Sequence, residues 1–174
     1  AMASATYTAE PRPRYVQRFT LTERLIHWVH ATAFFVLLGS GLVLYLPSLS
    51  AAVARRPFIK DIHFWTGISW AGAILIIVVL GNRRALAQTA REIDLFDRDD
   101  GRFLAGNTHS PQGRFNAGQK LNTAVVFGLM VVLSISGLLM YLQETDAAVR
   151  GRTSAILVHD VATWIAVPLI AGHL

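Results

Sequence analysis

Four apolar stretches, at about 22–46, 62–80, 121–142 and 154–174, each reach the roughly 20 residues that an α-helix needs to cross a hydrocarbon core. Nothing else in the sequence restricts the fold so strongly, because in lipid every backbone polar group must be satisfied within the spanning structure. Of the 174 residues 53% are hydrophobic and 16% charged, which is too apolar for an ordinary soluble domain of this size. Pro47 closes the first stretch, and the run Gly81, Asn82, Arg83, Arg84 stops the second. Lys120 and the pair Gln143, Glu144 bracket the third. The fourth runs to Leu174 without a polar flank, so the chain is expected to continue beyond it. The expected fold is all-α: an integral membrane four-helix bundle, with an N-terminal arm over 1–21, a four-span domain over 22–174 and a loop at about 84–117.

Basic residues set the expected orientation, since Lys and Arg are retained on the cytoplasmic side. The arm and first helix entry carry Arg12, Arg14, Arg18 and Arg24, and the middle loop carries Arg83, Arg84, Arg91, Arg98, Arg102, Arg114 and Lys120. The other side carries Arg55, Arg56, Lys60, Arg150 and Arg152. Eleven against five places the N-terminus and the loop in the cytoplasm. The net charge of +5 is thereby explained by topology, and a nucleic-acid partner is not expected. Residues 1–17 lack the pattern of a cleaved signal peptide, so the first span is read as the insertion signal. With no cysteine, disulfides, iron–sulfur ligation and covalent haem attachment by these residues are excluded.

The segment Ser40 to Leu46 reads SGLVLYL and Ser136 to Leu142 reads SGLLMYL, a displacement of 96 positions that also carries His63 onto His159 and Arg56 onto Arg152. Spans one and two and spans three and four therefore read as two copies of one helical hairpin. Both copies start on the same side, so the repeat is parallel, with its pseudo-twofold axis along the membrane normal.

Intramembrane histidines are costly without partners and are functional candidates by default. His159 and His173 are fourteen positions apart on the last span, about 21 Å of helix rise and on nearly one face. Depth pairs His63 with His159 near the outer face and His27 with His173 near the cytoplasmic face. Each pair suits the two faces of a planar cofactor such as haem, giving two haem b groups without an open coordination position. The same histidines would also serve interhelical hydrogen bonds or a proton path. His30 follows His27 by one turn and is a second inner candidate, and His109 lies in the polar loop. Gly39, Gly41, Gly67, Gly137, Ser40 and Ser136 would allow a macrocycle, or simply a neighbouring helix, to approach the backbone.

The chain resembles the gamma subunit of membrane-bound respiratory formate dehydrogenases, a four-helix di-haem cytochrome b. The resemblance rests on Arg24-Leu25-Ile26-His27-Trp28, on Ile62-His63, on Phe115-Asn116-Ala117-Gly118-Gln119-Lys120, and on His159 with His173; it extends from about Arg18 to His173. It implies a multi-pass protein of the bacterial inner membrane, partnered by a periplasmic iron–sulfur subunit and a molybdenum- or tungsten-type catalytic subunit. Electrons would enter at the His63 and His159 haem, cross to the His27 and His173 haem, and reduce a quinone beside Asn116, Gly118 and Gln119. Physical chemistry alone reads Asn116 to Lys120 as a helix cap with an interfacial lysine. Two other functions fit the spans: a stand-alone di-haem cytochrome b that oxidises a small periplasmic reductant with quinone, and a haem-free membrane anchor or transporter.

Three further expectations concern the polar segments. The short outer loops, about 47–61 and 143–153, leave little room for a substrate pocket and favour docking to a partner. A short amphipathic helix over Ala85 to Phe96 is expected on the membrane surface. Asp94, Asp97, Asp99 and Asp100, mixed with arginines, read as a solvated turn. Asp160, directly after His159, has no role fixed by the sequence.

Overall fold

The computed structural model describes residues 17–145 and 154–172. His173 and Arg152, both used in the sequence reading, lie outside the described residues. Helix α1 spans Leu21–Tyr45. At its start the Thr20 hydroxyl accepts from the Glu23 amide while the Glu23 carboxylate accepts from the Thr20 amide, a capping box that satisfies two otherwise orphaned donors. Leu46 is extended, as expected before a proline, and Pro47 opens the short helix α2, Pro47–Val53. The connection after α1 is thus partly helical where the sequence suggested a plain loop.

Helix α3 spans Arg56–Leu80 and starts ahead of the expected Ile62. Proline at its first turn has no amide to leave orphaned, so the helix extends into the charged segment and places His63 about two turns inside it. It ends at Gly81, where an added Cβ would come within 2.4 Å of the Ile77 carbonyl and 2.5 Å of the Thr22 methyl. Only glycine lets the chain pass that close to α1, and the Thr22 hydroxyl then accepts from the Asn82 amide at 3.0 Å.

Helix α4, Arg83–Asp94, and α5, Arg98–Leu104, form the connection to α6, Ala117–Thr145; α7 covers Ala155–Ala171. Among the described residues α1, α3 and α6 are long and apolar enough to cross a membrane, and α7 is a shorter apolar helix of 17 residues. Small residues line the interior, with Ala33, Ala117, Met130, Ala155, Ala162 and Ala166 its buried apolar members. Large ones face outward: Trp28 is 66% exposed, Phe127 70% and Leu80 80%. That inversion of a water-soluble core is the pattern of helices packed on small residues and solvated by lipid.

The close helix pairs are α1 with α3 and α6 with α7. Across the seams between these hairpins Phe64 of α3 stacks on Tyr141 of α6 at 4.1 Å, and Tyr45 of α1 meets Trp164 of α7 edge-on at 5.9 Å. The order around the bundle is therefore α1, α3, α6, α7, which sets α3 diagonally opposite α7. Tyr45 and Tyr141 are 96 positions apart and close the two equivalent seams, so the repeat read from sequence is a repeat of packing.

At the other end α4 lies across α1, α3 and α6 and α5 packs on α6. The acidic stretch there is built in. Asp97 caps α5, and Asp100 is buried with its carboxylate 2.7 Å from the Lys120 ammonium. The expectation of a solvated turn is corrected for Asp100, as is that of an interfacial Lys120, which is buried and also donates to the Leu95 carbonyl at 2.9 Å. A buried ammonium needs such partners to offset its lost hydration.

Candidate functional site

The diagonal between α3 and α7 carries the most organised group of side chains in the bundle. His63 and His159 face each other across it with ring centroids 6.2 Å apart and planes at 70°. On one side Ser40 Oγ lies 2.9 Å from His63 Nδ1; on the other Ser136 Oγ lies 3.0 Å from His159 Nδ1. Each serine also bonds the carbonyl four residues back, Val36 and Val132, at 2.7 Å. A Cβ at Gly41 would stand 3.3 Å from His63 Cε1 and one at Gly137 3.4 Å from His159 Cε1, so each imidazole packs directly over a glycine. Every partner in one half has its counterpart 96 positions on in the other.

The local sequence explains this placement. In Ser-Gly-Leu the hydroxyl and the missing Cβ are adjacent on the helix, so one turn supplies both a hydrogen-bond partner and room for a ring. The spacing of the rings then tests what they can hold. Two imidazoles bound to one metal ion through nitrogens at about 2 Å have their centroids about 6 Å apart. The observed 6.2 Å fits, and engagement of Nδ1 leaves Nε2 of each ring as the nitrogen for a metal. Two imidazoles presented across the bundle, where the described residues include no group of three or more His, Cys, Asp or Glu able to hold a metal ion, suit a haem iron.

The inner candidates are arranged differently. His27 lies in the second turn of α1 with its ring 5.5 Å from Trp28, and its expected partner His173 is outside the described residues. His30, one turn further, is half-buried and packs against Trp70 at 5.7 Å. The Trp70 indole N–H is buried with no hydrogen-bond partner among the described residues. His109 is exposed in the loop after α5, and Asp160 is half-buried beside His159.

The three expected quinone residues are at the start of α6. The Asn116 side-chain oxygen accepts from the Gln119 amide at 2.8 Å, and the Gln119 side-chain oxygen accepts from the Asn116 amide at 3.0 Å. This reciprocal cap is the counterpart of the Thr20 and Glu23 box of α1, again 96 positions earlier. It occupies both oxygens and leaves the two amide NH2 groups without hydrogen bonds among the described residues. Gly118 adjoins the cap, with an added Cβ 3.3 Å from Asn116 Oδ1.

Sequence reasoning took Ser40 and Ser136 only as small residues and missed their bonds to the histidines. The signal was present, since the serine and the histidine recur at the same displacement. It also missed the cluster at the α4 end, where Arg114 pairs with Glu23 at 3.0 Å and with Glu92 at 2.8 Å, and where Thr89 bonds both Glu23 and Arg114. Those groups come from three separate elements, and no local pattern connects them.

A search of curated proteins finds no match to the chain. The family model described as prokaryotic cytochrome b561 matches residues 18–174, nearly the whole sequence. The helices, the facing histidines and this match agree that the protein is a bacterial membrane b-type cytochrome, an electron-transfer protein that binds haem b, and that the chain belongs to the prokaryotic cytochrome b561 family.

Proposed function

We propose that the chain is the di-haem cytochrome b subunit of a periplasm-facing respiratory oxidoreductase of the formate dehydrogenase kind. It spans the inner membrane four times with its N-terminus in the cytoplasm. It takes electrons from an iron–sulfur partner at the α2 end, beside a molybdenum- or tungsten-type catalytic subunit, and delivers them to quinone at the α4 end. The observation that carries this reading is the His63 and His159 pair, 6.2 Å apart, with the serine and glycine contacts of one ring repeated at the other.

Haem iron, when bound, supplies a reversible one-electron change. The chain supplies the rest. His63 and His159 would hold the outer haem, and His27 and His173 the inner one; with two histidines at each iron the chemistry supplied would be electron transfer. The Tyr141 and Phe64 stack and the Tyr45 and Trp164 contact tie the two hairpins together beside the outer pair. At the other end Asn116 and Gln119 use their oxygens for the cap, and their amide NH2 groups support a role as donors to the quinone carbonyls, with Gly118 beside them.

The experiment is a reduced-minus-oxidised spectrum of the purified protein with pyridine haemochrome quantification. Two b haems per chain in the parent and one in His159→Ala are expected. A folded, colourless parent would overturn the reading. Copurification with iron–sulfur and catalytic chains is expected, whereas an active chain purified alone would favour the stand-alone cytochrome.

A further inference from the structure

We infer that Ser40 and Ser136 are positioning residues that keep the outer ligand protons on Nδ1 of His63 and His159 and thereby hold the outer haem at a low potential. The inference rests on the outer-pair reading above and goes beyond it, because it assigns a redox role to two side chains that touch only the ligands.

The argument is one of proton counting. A serine hydroxyl has one hydrogen to donate, and a backbone carbonyl can only accept. Ser40 Oγ is 2.7 Å from the Val36 carbonyl and 3.2 Å from that of Leu37; Ser136 Oγ is 2.7 Å from the Val132 carbonyl and 3.2 Å from that of Leu133. With the hydroxyl proton directed back along the helix, each oxygen presents a lone pair to the imidazole 2.9 or 3.0 Å away. The imidazole must then donate through Nδ1–H, and its other nitrogen, Nε2, is free of a proton. The reverse arrangement, with serine donating to Nδ1, would leave the proton on Nε2 and remove it as a ligand. Metal binding and the helix carbonyls therefore demand the same tautomer.

The electronic consequence has a sign. A hydrogen bond accepted from Nδ1–H shifts electron density into the ring and makes Nε2 a stronger donor. A stronger donor favours the ferric state, so the potential falls, and because both ligands of one iron carry the same bond the effect is applied twice. Ser134 provides the internal control: it makes the same bond to the carbonyl four residues back, Met130, at 2.7 Å, and touches neither histidine.

The test is a spectroelectrochemical titration of the haem-loaded full chain and its Ser40→Ala, Ser136→Ala and Ser134→Ala variants, following the haem signal that His159→Ala removes. Each of the first two changes should raise that haem's midpoint, by up to about tenfold in the reduced-to-oxidised ratio, or 59 mV for one electron. The double variant should move further in the same direction, while the other haem and Ser134→Ala stay at the parent values. An unchanged midpoint in a variant that retains its bis-imidazole spectrum would overturn the inference and leave the outer pair standing. A parent without the outer haem would overturn both. Should an alanine variant lose the haem, the threonine variant at that position keeps a hydroxyl; it should retain haem at the parent potential, and an alanine-like loss or shift there overturns the inference.

Discussion

Arg18 and Arg114, 96 positions apart, each donate a guanidinium hydrogen bond to the backbone carbonyl of the other. Phe19 and Phe115, the next residues, meet at 5.9 Å, and the Arg114 guanidinium lies 4.7 Å from the Phe115 ring centre. The pseudo-twofold axis passes through this crossing, which joins the entries of α1 and α6. Arg114 also neutralises Glu23, whose side chain is only 7% exposed. Arg114→Ala should cost about 3 kcal/mol, because it strands a buried carboxylate. Thermal denaturation in detergent checks this, and adding Glu23→Gln should recover part of the loss; additive losses would mean that the pair is not coupled.

The Lys120 ammonium, hydrogen-bonded to Asp100, holds that carboxyl below the usual carboxylate range. The unfolded chain then binds this proton more readily than the folded one. The contribution is complete above the unfolded value of about 4 and is lost as pH falls through the lower folded value. Melting temperature should drop on the acid side of about pH 4, and Asp100→Asn should flatten that limb while lowering stability at neutral pH. A variant with the parent's acid limb would refute this assignment.

Two glycines on α1 should behave oppositely. Gly39 has nothing within 4 Å of an added Cβ, whereas one at Gly41 meets His63 Cε1 at 3.3 Å. Gly39→Ala should leave haem content unchanged and stabilise the helix by up to about 1 kcal/mol. Gly41→Ala should displace the imidazole by a few tenths of an ångström and lower outer haem content or distort its low-spin signal. Gly137→Ala, whose Cβ meets His159 Cε1 at 3.4 Å, should have a smaller effect in the same direction. Haemochrome stoichiometry and electron paramagnetic resonance read all three.

Gln119→Glu separates capping from quinone chemistry. The carboxylate keeps an oxygen for the Asn116 amide, so stability should hold, while the amide NH2 is lost. Quinone reduction should fall by roughly tenfold, the worth of one hydrogen bond at about 1.4 kcal/mol. Equal activity at equal stability would confine Gln119 to the cap.

The elements that depend on composition or periodicity were legible in the sequence. Apolar length disclosed the long helices, and one displacement of 96 disclosed the equivalence of Ser40 with Ser136 and of His63 with His159. Equivalence is not contact, however. A repeat says which residues correspond, and depth along the spans pairs His63 with His159; it took the fold to show the serines bonding them. Asp100 and Lys120 were misread for a related reason. Charge counting assumes solvent around each group, and the burial of both follows from α5 packing on α6, which no local pattern announces. Asn116 and Gln119 show the limit in the other direction, since the cap that local chemistry foresees and the quinone role that resemblance implies use different atoms of the same side chains.

Because α3 and α7 belong to different hairpins, each half of the duplicated chain owns one complete serine, glycine and histidine set and half of the proposed haem site. A single hairpin of this design would obtain a bis-imidazole centre only by pairing with a second copy of itself about the same axis. Fusing the copies removes the dependence of that centre on protein concentration. It also frees the two halves to diverge wherever the axis does not require them to match, as at His27, where the position 96 residues on is Thr123.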